Sequence, residues 1–587
     1  MNYNLNTYIK KTKKKRGVVS SLRKLMEIVS SEQRKLTIAF VAIALNVGLS
    51  LLGPYLLGYT IDTHVQTKNY EGVLIFAGIL LIIYIAAYLL NYIQIRMMGG
   101  IGQRLLFRLR NDVFEKLQEL PLDFFNQNKA GDLISRINND TDMLSEFFSH
   151  SLMQFIRNII MMTGAGLFLL LINLPLGLAT LSPTVILLVF TIAISPWIRR
   201  KNKATLKSIG NLSAEIQESL ANFKVIVAFD RRDYFRKHLE NANRENYKKS
   251  IYAGVANSLL SPIYTFASNI GQLIVLTLGI WLITQGRFSI GLLISFIAYV
   301  SNFYNPLRQI ARLWANFQLT LAAWDRISQL LSLKSNLPVI EGSKEIKSNS
   351  FIHFKDVSFA YPNGEKVLKN VSFELQRGKT YAFVGPTGGG KTTTASLISR
   401  LYDVTKGAVL IDGKDIKSYT ACERASKIGF ILQDPILFTG TVRENILYGN
   451  KECGALTNEE LEKALEDAQL LSLLKSFDQG LDTFIIMGGD SISLGQKQII
   501  AFMRAILRKP ELLILDEATA NIDTVTEQKL DQILTNLPKS TTKVIIAHRL
   551  NTIENADEIF FVNSQKIIAA GSFDEALNLL MQEQGVS

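Results

Sequence analysis

Six apolar segments recur through the first 310 residues of this 587-residue chain. They cover residues 37–62, 70–93, 150–172, 175–197, 259–284 and 288–310. Each segment is close to the ~20 residues that a bilayer core requires. The hydrophobic fraction of the whole chain is 48% and its mean hydropathy is positive, a combination that a soluble protein of this length rarely shows. The pattern therefore predicts a polytopic α-helical membrane domain with six transmembrane helices.

The loops between these segments alternate in length and charge. Those at 63–70, 173–175 and 285–289 are short and carry little charge. Those at 97–148 and 198–252 are long and rich in Lys and Arg. Because positively charged loops stay on the cytoplasmic side, we expect the long loops and both termini in the cytoplasm. Long loops without structure are uncommon, so the spanning helices are expected to continue beyond the bilayer.

The formal net charge of +13 is explained by its placement along the chain. A basic run at residues 10–16 precedes the first apolar segment and is expected to be a solvated tail that fixes topology. The segment 21–36 has the spacing of an amphipathic helix lying at the membrane interface. We therefore expect membrane lipids, and not nucleic acid, to be the partners of the basic residues.

Ionisable residues inside the apolar segments are few. Asp62, Arg157, Arg308 and Arg312 lie near segment ends or in the cytoplasmic part of the last segment. Because no acidic relay crosses the membrane, a proton-coupled carrier is disfavoured. Aromatic and amide side chains are more frequent, and most should serve helix packing while some could line an amphipathic cavity. They are Tyr55, Tyr59, Tyr84, Tyr88, Asn257, Tyr264, Phe266, Asn269, Phe303 and Tyr304.

Two short apolar patches interrupt the long polar loops. The first covers residues 121–125 and the second covers residues 221–230. Such patches could pack between extended helices, or they could dock on another domain.

The pattern changes after residue 333. A polar linker, 334–350, separates the membrane domain at 37–333 from a C-terminal domain at 351–587, and residues 1–36 form the tail and interfacial helix. Short apolar strands are expected at 351–357, 371–375, 379–384, 511–515 and 544–546, with a helix at 392–401 and further helical stretches between the strands. This alternation predicts an α/β nucleotide-binding domain.

A phosphate-binding loop follows the strand at 379–384. Its residues are Gly385, Pro386, Thr387, Gly388, Gly389, Gly390, Lys391 and Thr392, which match the pattern of two glycines, Lys and Ser/Thr. Glycine backbones and a helix N-terminus bind phosphates there, while Lys391 reaches the β- and γ-phosphates and Thr392 holds Mg²⁺. The predicted ligands are therefore ATP and Mg²⁺.

Two carboxylates follow the apolar strand that ends near residue 515. Burying the Asp516 carboxylate at that position is costly unless it binds a cation. Asp516 is therefore expected to be a second Mg²⁺ ligand. Glu517 comes next and is expected to act as the general base that polarises the attacking water.

The ordered set of motifs resembles the ATP-binding cassette (ABC) exporters of the half-transporter type, from about Ser21 onward. Ile492-Ser493-Leu494-Gly495-Gln496 is similar to the family signature, with Ile492 and Leu494 at its usual Leu and Gly. The signature opens a helix that faces the γ-phosphate bound by a partner domain. The resemblance implies a type I exporter fold, ATP hydrolysis coupled to transport, and coupling helices at the patches 121–125 and 221–230.

The resemblance also assigns single residues. Gln433 is similar to the loop glutamine that senses Mg²⁺ and water, and His548 to the switch histidine that contacts the γ-phosphate. Residues 521–523 are similar to the loop that communicates across the dimer. The implied nucleotide-binding residues outside the loop are Tyr361, Thr393, Ser493, Gly495, Gln496 and Asp523, with Tyr361 stacking on adenine. Met487 replaces a usual Glu, and Gly389 replaces a frequent serine.

One cassette cannot complete this reaction alone, so a second half-transporter is implied. Altered residues in the signature, together with an intact Glu517 and His548, are typical of the catalytic half of a bacterial heterodimeric exporter. A heterodimer is favoured over a homodimer. Hydrophobic or amphipathic small molecules are the expected cargo, in multidrug-type export by alternating access. The alternatives are a lipid or lipid-linked flippase, or an ATP-binding regulatory subunit that transports nothing.

Overall fold

The computed structural model divides the chain into two compact units by the contacts between residues. One unit comprises residues 12–117 and 131–332, and the other comprises residues 1–11, 118–130 and 333–587. The structure describes residues 3, 5, 32–334, 337, 339–340, 350–362, 364–450, 456–486, 492–516, 524–546, 556–571 and 575. Most of the expected interfacial helix at 21–36 and most of the linker at 334–350 lie outside the described residues.

In the part of the first unit that the structure describes, all regular secondary structure is helical. They are α1 (Gln33–Thr60), α2 (Tyr70–Gln118), α4 (Ala130–Ser135), α5 (Thr141–Glu146), α6 (Leu152–Ile172), α7 (Leu174–Leu181), α8 (Pro183–Ala221), α9 (Phe223–Ala228), α10 (Arg232–Ser258), α11 (Leu260–Thr284) and α12 (Ile290–Leu331), while α3 (Leu122–Gln127) belongs to the second unit. Short π-helical turns at Ile61–Val65, Arg136–Asp140 and Phe147–Ser151 join or extend several of them.

Six of the described helical segments are long and apolar enough to cross a membrane. They are Gln33–Val65, Tyr70–Gln118, Ala130–Ile172, Leu174–Ala221, Arg232–Thr284 and Ile290–Ile310. The expectation of six spanning helices is therefore confirmed. Helix α2 has 49 residues, about 74 Å of helix, so it continues well beyond the ~30 Å bilayer core as the loop lengths predicted.

Hydrogen bonds join the first and last spanning helices along their length. The Tyr299 hydroxyl donates to the Leu51 carbonyl at 2.6 Å, and Ser295 Oγ donates to the Pro54 carbonyl at 2.7 Å. At the end of this contact Asp62 accepts from the Ser289 hydroxyl and from the Gly291 amide. Asp62 is therefore held at the N-terminus of α12, where the helix dipole favours a carboxylate.

The aromatic residues expected in the spans divide into two groups. Tyr304 is buried and donates to the Thr180 carbonyl at 2.9 Å, and Tyr264 is buried with its hydroxyl 3.1 Å from that of Thr191. These two residues serve helix packing. Several others are exposed in the single chain, namely Tyr55, Tyr59, Tyr84, Tyr88 and Phe266.

The second unit contains two larger sheets and a two-stranded one. The strands are β1 (Ile352–Ala360), β2 (Lys366–Leu375), β3 (Thr380–Val384), β4 (Lys406–Ile411), β5 (Lys414–Asp415), β6 (Ile428–Ile431), β7 (Gly440–Thr441), β8 (Phe484–Ile485), β9 (Leu512–Asp516), β10 (Thr542–Ile546), β11 (Glu558–Asn563) and β12 (Lys566–Ala569). The helices are α13 (Lys391–Ile398), α14 (Ala421–Lys427), α15 (Val442–Leu447), α16 (Asn458–Asp467), α17 (Leu494–Ile506) and α18 (Thr524–Asn536).

The central sheet positions the predicted site. Its strand order is β12-β11-β3-β10-β9-β6, and the five strands from β11 to β6 run parallel. The carboxyl ends of β3, β9 and β10 therefore meet at one edge, where ligands bind in sheets of this kind. The α/β nucleotide-binding fold expected from the sequence is confirmed, although strands β4 to β8, β11 and β12 were not anticipated.

Candidate functional site

The phosphate-binding loop leaves the buried strand β3 and enters α13. Gly390 is the N-cap residue of α13 and has a φ of +113°, which strongly favours glycine. Gly385 has a φ of +143°, and a Cβ there would lie 2.2 Å from the Val562 carbonyl oxygen. These two glycines therefore let the loop turn tightly against β11 before it presents the helix N-terminus.

Gly389 is also constrained by this strand. A Cβ on Gly389 would lie 2.5 Å from the Val562 carbonyl oxygen, so a side chain there requires a shift of the loop or the strand. The serine that is frequent at this position in the family would need different packing against β11.

Lys391 is folded back over the loop. Its side chain is buried, and its ammonium donates to the carbonyls of Gly385 at 2.8 Å and Pro386 at 2.9 Å. The cation is therefore held above the turn in which phosphate oxygens would be bound by backbone amides.

Thr392 and Asp516 are brought together although 124 residues separate them. The Thr392 hydroxyl donates to Asp516 Oδ1 at 3.3 Å, and Asp516 is 1% exposed at the carboxyl end of β9. A hydroxyl and a carboxylate are oxygen ligands of the kind that Mg²⁺ prefers. These two of the three predicted metal ligands therefore fit one ion beside the phosphate loop, and the third, Gln433, follows the neighbouring strand β6.

Tyr361 is fixed beside α13 by its hydroxyl and its ring. Its hydroxyl lies 3.0 Å from that of Thr393. Its ring makes edge contacts with Phe359 at 4.9 Å and with Tyr402 at 5.4 Å. The ring is only partly buried, so its position next to the loop is compatible with the predicted adenine contact.

Gln433 lies two residues beyond the end of β6. Because β6 runs parallel to β9, Gln433 follows the same sheet edge at which Asp516 lies. Its side chain is exposed. The location agrees with a polar group reaching toward the phosphates, and the role assigned by the resemblance stays a prediction.

The signature-like segment begins a helix, as expected. Ser493 is the N-cap residue of α17, and its hydroxyl accepts from the Gln496 amide at 3.2 Å. The Gln496 side chain accepts in turn from the Ser493 amide at 2.7 Å, which completes a capping box. Gln496 also donates to the Ser476 carbonyl at 2.6 Å. The tip of α17 is thus rigid, with Leu494 40% exposed on it.

Several predicted site residues lie outside the described residues. They are Glu517, Asp523 and His548, together with the loop position Met487. Asp516 and Ile546 are paired residues at the carboxyl ends of the parallel strands β9 and β10. Glu517 and His548 follow these two adjacent strand ends in the sequence.

Helix α3, which contains the patch 121–125, packs in the same unit as the nucleotide-binding domain. Phe124 is fully buried, and the Asn126 side chain donates to the Tyr402 hydroxyl at 2.8 Å. Tyr402 also contacts the Tyr361 ring, so two side chains connect the patch to Thr393 on α13. The sequence analysis missed Tyr402 because no local motif marks a contact between residues 276 positions apart.

The N-terminus covers the other side of α3. Tyr3 and Leu5 are buried, and the Asn128 side chain bonds to the backbone of both, donating to the Tyr3 carbonyl and accepting from the Leu5 amide. The Tyr3 ring meets Phe124 edge-on at 6.3 Å, and its hydroxyl donates to the Lys334 carbonyl at 2.9 Å. No local pattern predicted these contacts, since residues 3 and 5 belong to a polar tail.

The second patch has a different environment. Helix α9 buries Ile226, but three of its large apolar side chains and that of Phe229, the residue after it, are exposed. Their exposed fractions are 56% for Phe223, 55% for Val225, 39% for Val227 and 74% for Phe229. An apolar surface of this kind on a short helix is typical of an interaction site.

Comparison with protein families agrees with this geometry. Residues 36–307 match the family model of the ABC transporter transmembrane region, and residues 368–520 match a second family model, described as ABC transporter. The chain belongs to the ABC transporter family. It is an ATP-hydrolysing exporter of that family, a multi-pass membrane protein whose nucleotide-binding domain is cytoplasmic.

Individual relatives cover nearly the whole chain. The ABC transporter ATP-binding protein YfiC of Bacillus subtilis is 34% identical over 97% of this chain and 94% of its own length. A fatty acid ABC transporter ATP-binding/permease protein of Mycobacterium bovis is 34% identical over 85% of this chain and 78% of its own. A multidrug resistance ABC transporter ATP-binding and permease protein of Lactococcus lactis is 30% identical over 85% and 84%.

A solved structure shares the fold. The structure of a bacterial Atm1-family ABC exporter with ATP bound superposes with a TM-score of 0.78 at 24% identity, covering 94% of this chain and 96% of that one. The type I exporter fold expected from the resemblance is therefore confirmed.

Proposed function

We propose that this chain is the catalytic half of a heterodimeric exporter that moves hydrophobic or amphipathic small molecules across the cytoplasmic membrane. The observation that carries the proposal is the arrangement at the sheet edge. The Lys391 ammonium lies over the phosphate loop, and the Thr392 hydroxyl donates a hydrogen bond to the buried Asp516 carboxylate. Such an arrangement suits the β- and γ-phosphates of ATP with one Mg²⁺.

Each residue has a definite task in this proposal. The loop amides and Lys391 bind the phosphates, Thr392 and Asp516 hold the ion, and Glu517 accepts the proton of the attacking water. Mg²⁺ supplies charge neutralisation between the β- and γ-phosphates when it is bound. His548 orients Glu517 and contacts the γ-phosphate, and Gln433 orients the water.

A second cassette completes the site. The capped tip of α17 carries Ser493 and Gly495, whose hydroxyl and amide can donate to phosphate oxygens. In the proposed assembly this tip serves the nucleotide held by the partner, and the partner's tip serves the nucleotide on Lys391.

Leu494 supports a heterodimer over a homodimer. Its side chain is 40% exposed at the tip of α17, where the family has a glycine that allows close approach. A leucine there hinders close approach of this chain's α17 to the nucleotide bound by the partner. The nucleotide bound at Lys391 is contacted by the partner's corresponding helix and is not affected by Leu494. One active and one impaired site follow if the partner keeps the glycine. Native mass measurement of the complex from its own source should show a second, different polypeptide, and a mass of twice 65.7 kDa would contradict this.

ATP binding would close the two cassettes, and the coupling helices would carry this movement to the spanning helices. The pathway would then change from inward- to outward-open by alternating access. Helix α3 meets the nucleotide-binding domain through Asn126 and Tyr402, and Tyr402 contacts the proposed adenine-binding Tyr361. This connection supports coupling between nucleotide binding and the membrane helices.

The relatives support two cargo classes. Export of amphipathic drugs agrees with the multidrug relatives and with the exposed tyrosines of the spans. Lipid or fatty-acid movement agrees with the mycobacterial relative. Reconstitution with a fluorescent drug and with a labelled lipid, compared in the same vesicles, separates these two alternatives.

The regulatory alternative is tested by Glu517→Gln in the purified assembly. Removal of a general base lowers turnover roughly 10²–10⁴-fold, so ATP hydrolysis should nearly stop while ATP binding persists. Lys391→Ala is the companion variant and should lose ATP binding as well. If Glu517→Gln hydrolyses ATP at nearly the original rate, the catalytic assignment is wrong.

A further inference from the structure

A basic recess lies where the first two spanning helices reach the cytoplasmic side. Its volume is about 390 Å³. It is lined by Lys35 of α1 and by Tyr92, Ile93, Arg96, Met97, Gly100 and Arg104 of α2. The first apolar segment begins at residue 37 and the second ends at residue 93. The residues that line the recess therefore lie between the level of the lipid headgroups and the cytoplasm.

Four of the lining residues share one face of α2. Tyr92, Arg96, Gly100 and Arg104 follow one another at intervals of four residues, which places them in one row along the helix. Helical side chains lean toward the N-terminus of their helix, and the N-terminal part of α2 lies in the membrane. Both arginines are therefore directed back toward the headgroups.

Gly100 provides the space between the two arginines. A Cβ on Gly100 would lie 3.1 Å from Arg104 Nη1, so even a small side chain there would enter the recess. The helix does not need glycine for its backbone at this position, because residues 70–118 form one continuous helix. The missing side chain thus lets the Arg104 guanidinium lie close to the helix backbone, on the side toward Arg96.

Glu32 orders the recess without neutralising it. Its carboxylate accepts from Arg104 Nε at 2.8 Å and Nη2 at 3.1 Å, and it pairs with Lys35 at 2.9 Å. Hydrogen bonds from Arg104 and Lys35 lower the pKa of Glu32 to about 2, so it stays ionised. Three cations still face one anion. Among the described residues Arg96 is exposed and has no ion-pair partner, so its charge is available to an anion.

We propose that this recess binds the phosphate headgroup of an anionic phospholipid from the cytoplasmic leaflet. Arg96 and Arg104 contact the phosphate on either side of Gly100, while Lys35 contributes from α1. Tyr92 and Ile93, which are 54% and 41% exposed, meet the glycerol and the first acyl carbons at the apolar boundary. An acidic headgroup suits a basic pocket between helices on this side of a membrane.

The inference is independent of the transported cargo and of ATP hydrolysis. The described residues that line the recess belong to α1 and α2, and none of them belongs to the nucleotide site. The bound lipid would connect the two helices at the point where they leave the bilayer. It should therefore stabilise the membrane domain whether or not the exporter is active.

Native mass spectrometry of the full-length assembly from vesicles tests the proposal. The wild-type protein should retain phosphatidylglycerol in preference to phosphatidylcholine. Arg96→Gln should weaken phosphatidylglycerol retention about fivefold, the effect of one basic residue near an anionic surface. Gly100→Leu should weaken it at least as much with no change of net charge. Arg34→Gln is the matched control, since Arg34 lies beside Lys35 but does not line the recess.

The outcomes separate the alternatives. Equal retention of phosphatidylglycerol and phosphatidylcholine by the wild-type protein overturns the proposal. So does an Arg34→Gln variant that loses as much lipid as Arg96→Gln, because general surface charge then explains the binding. Inorganic phosphate that protects the wild-type protein against heat, when phosphatidylglycerol vesicles do not, would identify a site for the free anion and would also overturn it.

Discussion

The short helices α3 and α9 are each six residues long, and both carry apolar side chains, but their surroundings differ. Phe124 of α3 is fully buried within the unit that contains the nucleotide-binding domain, whereas Phe229, next to α9, is 74% exposed. The first helix has its docking partner in its own chain. The second exposes a surface of the same chemical kind, which a nucleotide-binding domain of a second chain would cover. This difference between the two helices is what the proposed two-chain assembly predicts.

The largest effect is expected from Phe124→Ala. Truncation of a fully buried phenylalanine costs about 3–5 kcal/mol, so α3 should detach from the nucleotide-binding domain and that domain should unfold at lower temperature. Hydrogen exchange of residues 118–130 and calorimetry measure the change. Phe125→Ala is the control, because Phe125 is 41% exposed and should change both much less. Equal effects of the two variants would show that α3 is not held by Phe124.

Phe229→Asp tests the exposed helix. The chain itself should fold normally, since the residue is exposed, but a charge in an apolar interface should disrupt docking. Loss of about 2 kcal/mol at such a contact corresponds to roughly 30-fold, so transport should fall by that factor while ATP turnover persists. Transport and hydrolysis are measured in the same vesicles. Tyr247→Asp, at a site 64% exposed on α10, is the control. The comparison fails if the two aspartate variants transport equally well.

A smaller effect is expected for the hydrogen bond between Asn126 and Tyr402. Asn126→Ala, Tyr402→Phe and the double variant form a cycle, and its coupling energy should be about 1 kcal/mol. Unfolding of the nucleotide-binding domain provides the free energies. Strictly additive losses would mean that the bond contributes nothing to the attachment of α3.

The smallest expected effect is a loss of stability at alkaline pH in the attachment of α3, which depends on Tyr402; α9 has no such contact with Tyr402. Burial raises the pKa of Tyr402, and the neighbouring Tyr361 and Asp123 raise it further. Because the folded pKa exceeds the unfolded value of about 10, this contribution is complete below pH 10 and is lost as the pH rises above it. Protection of residues 118–130 from exchange, corrected for intrinsic rates, should weaken there. Tyr402→Phe should remove this dependence, and an unchanged profile in that variant would assign it to another group.

The sequence predicted the parts of the molecule that local patterns determine. Apolar length predicted the six spans, and the glycine pattern with Lys391 predicted the loop that β3 and α13 enclose. Asp516 was expected at a strand end because a buried carboxylate there needs a cation, and it lies 3.3 Å from the Thr392 hydroxyl.

Contacts between distant segments could not be predicted in this way. Tyr402 and Tyr3 belong to no motif. Tyr402 lies 276 positions from its partner Asn126 on α3, and Tyr3 lies at least 121 positions from its partners Phe124 and Gln127. A hydrophobic pattern shows that residues 121–125 pack against something, but not against which surface. The recess around Arg96 and Gly100 could not be predicted from the sequence for the same reason. It depends on the neighbouring helix α1 as well as on the row of residues along α2.

The central claim is that ATP hydrolysis by this chain requires a second cassette. The most direct test measures ATP turnover per nucleotide-binding domain in fractions of defined mass, from single chains to the complete assembly. The account predicts turnover in the two-cassette species and almost none in the single chain. A single chain that hydrolyses ATP as fast as the assembly would contradict it.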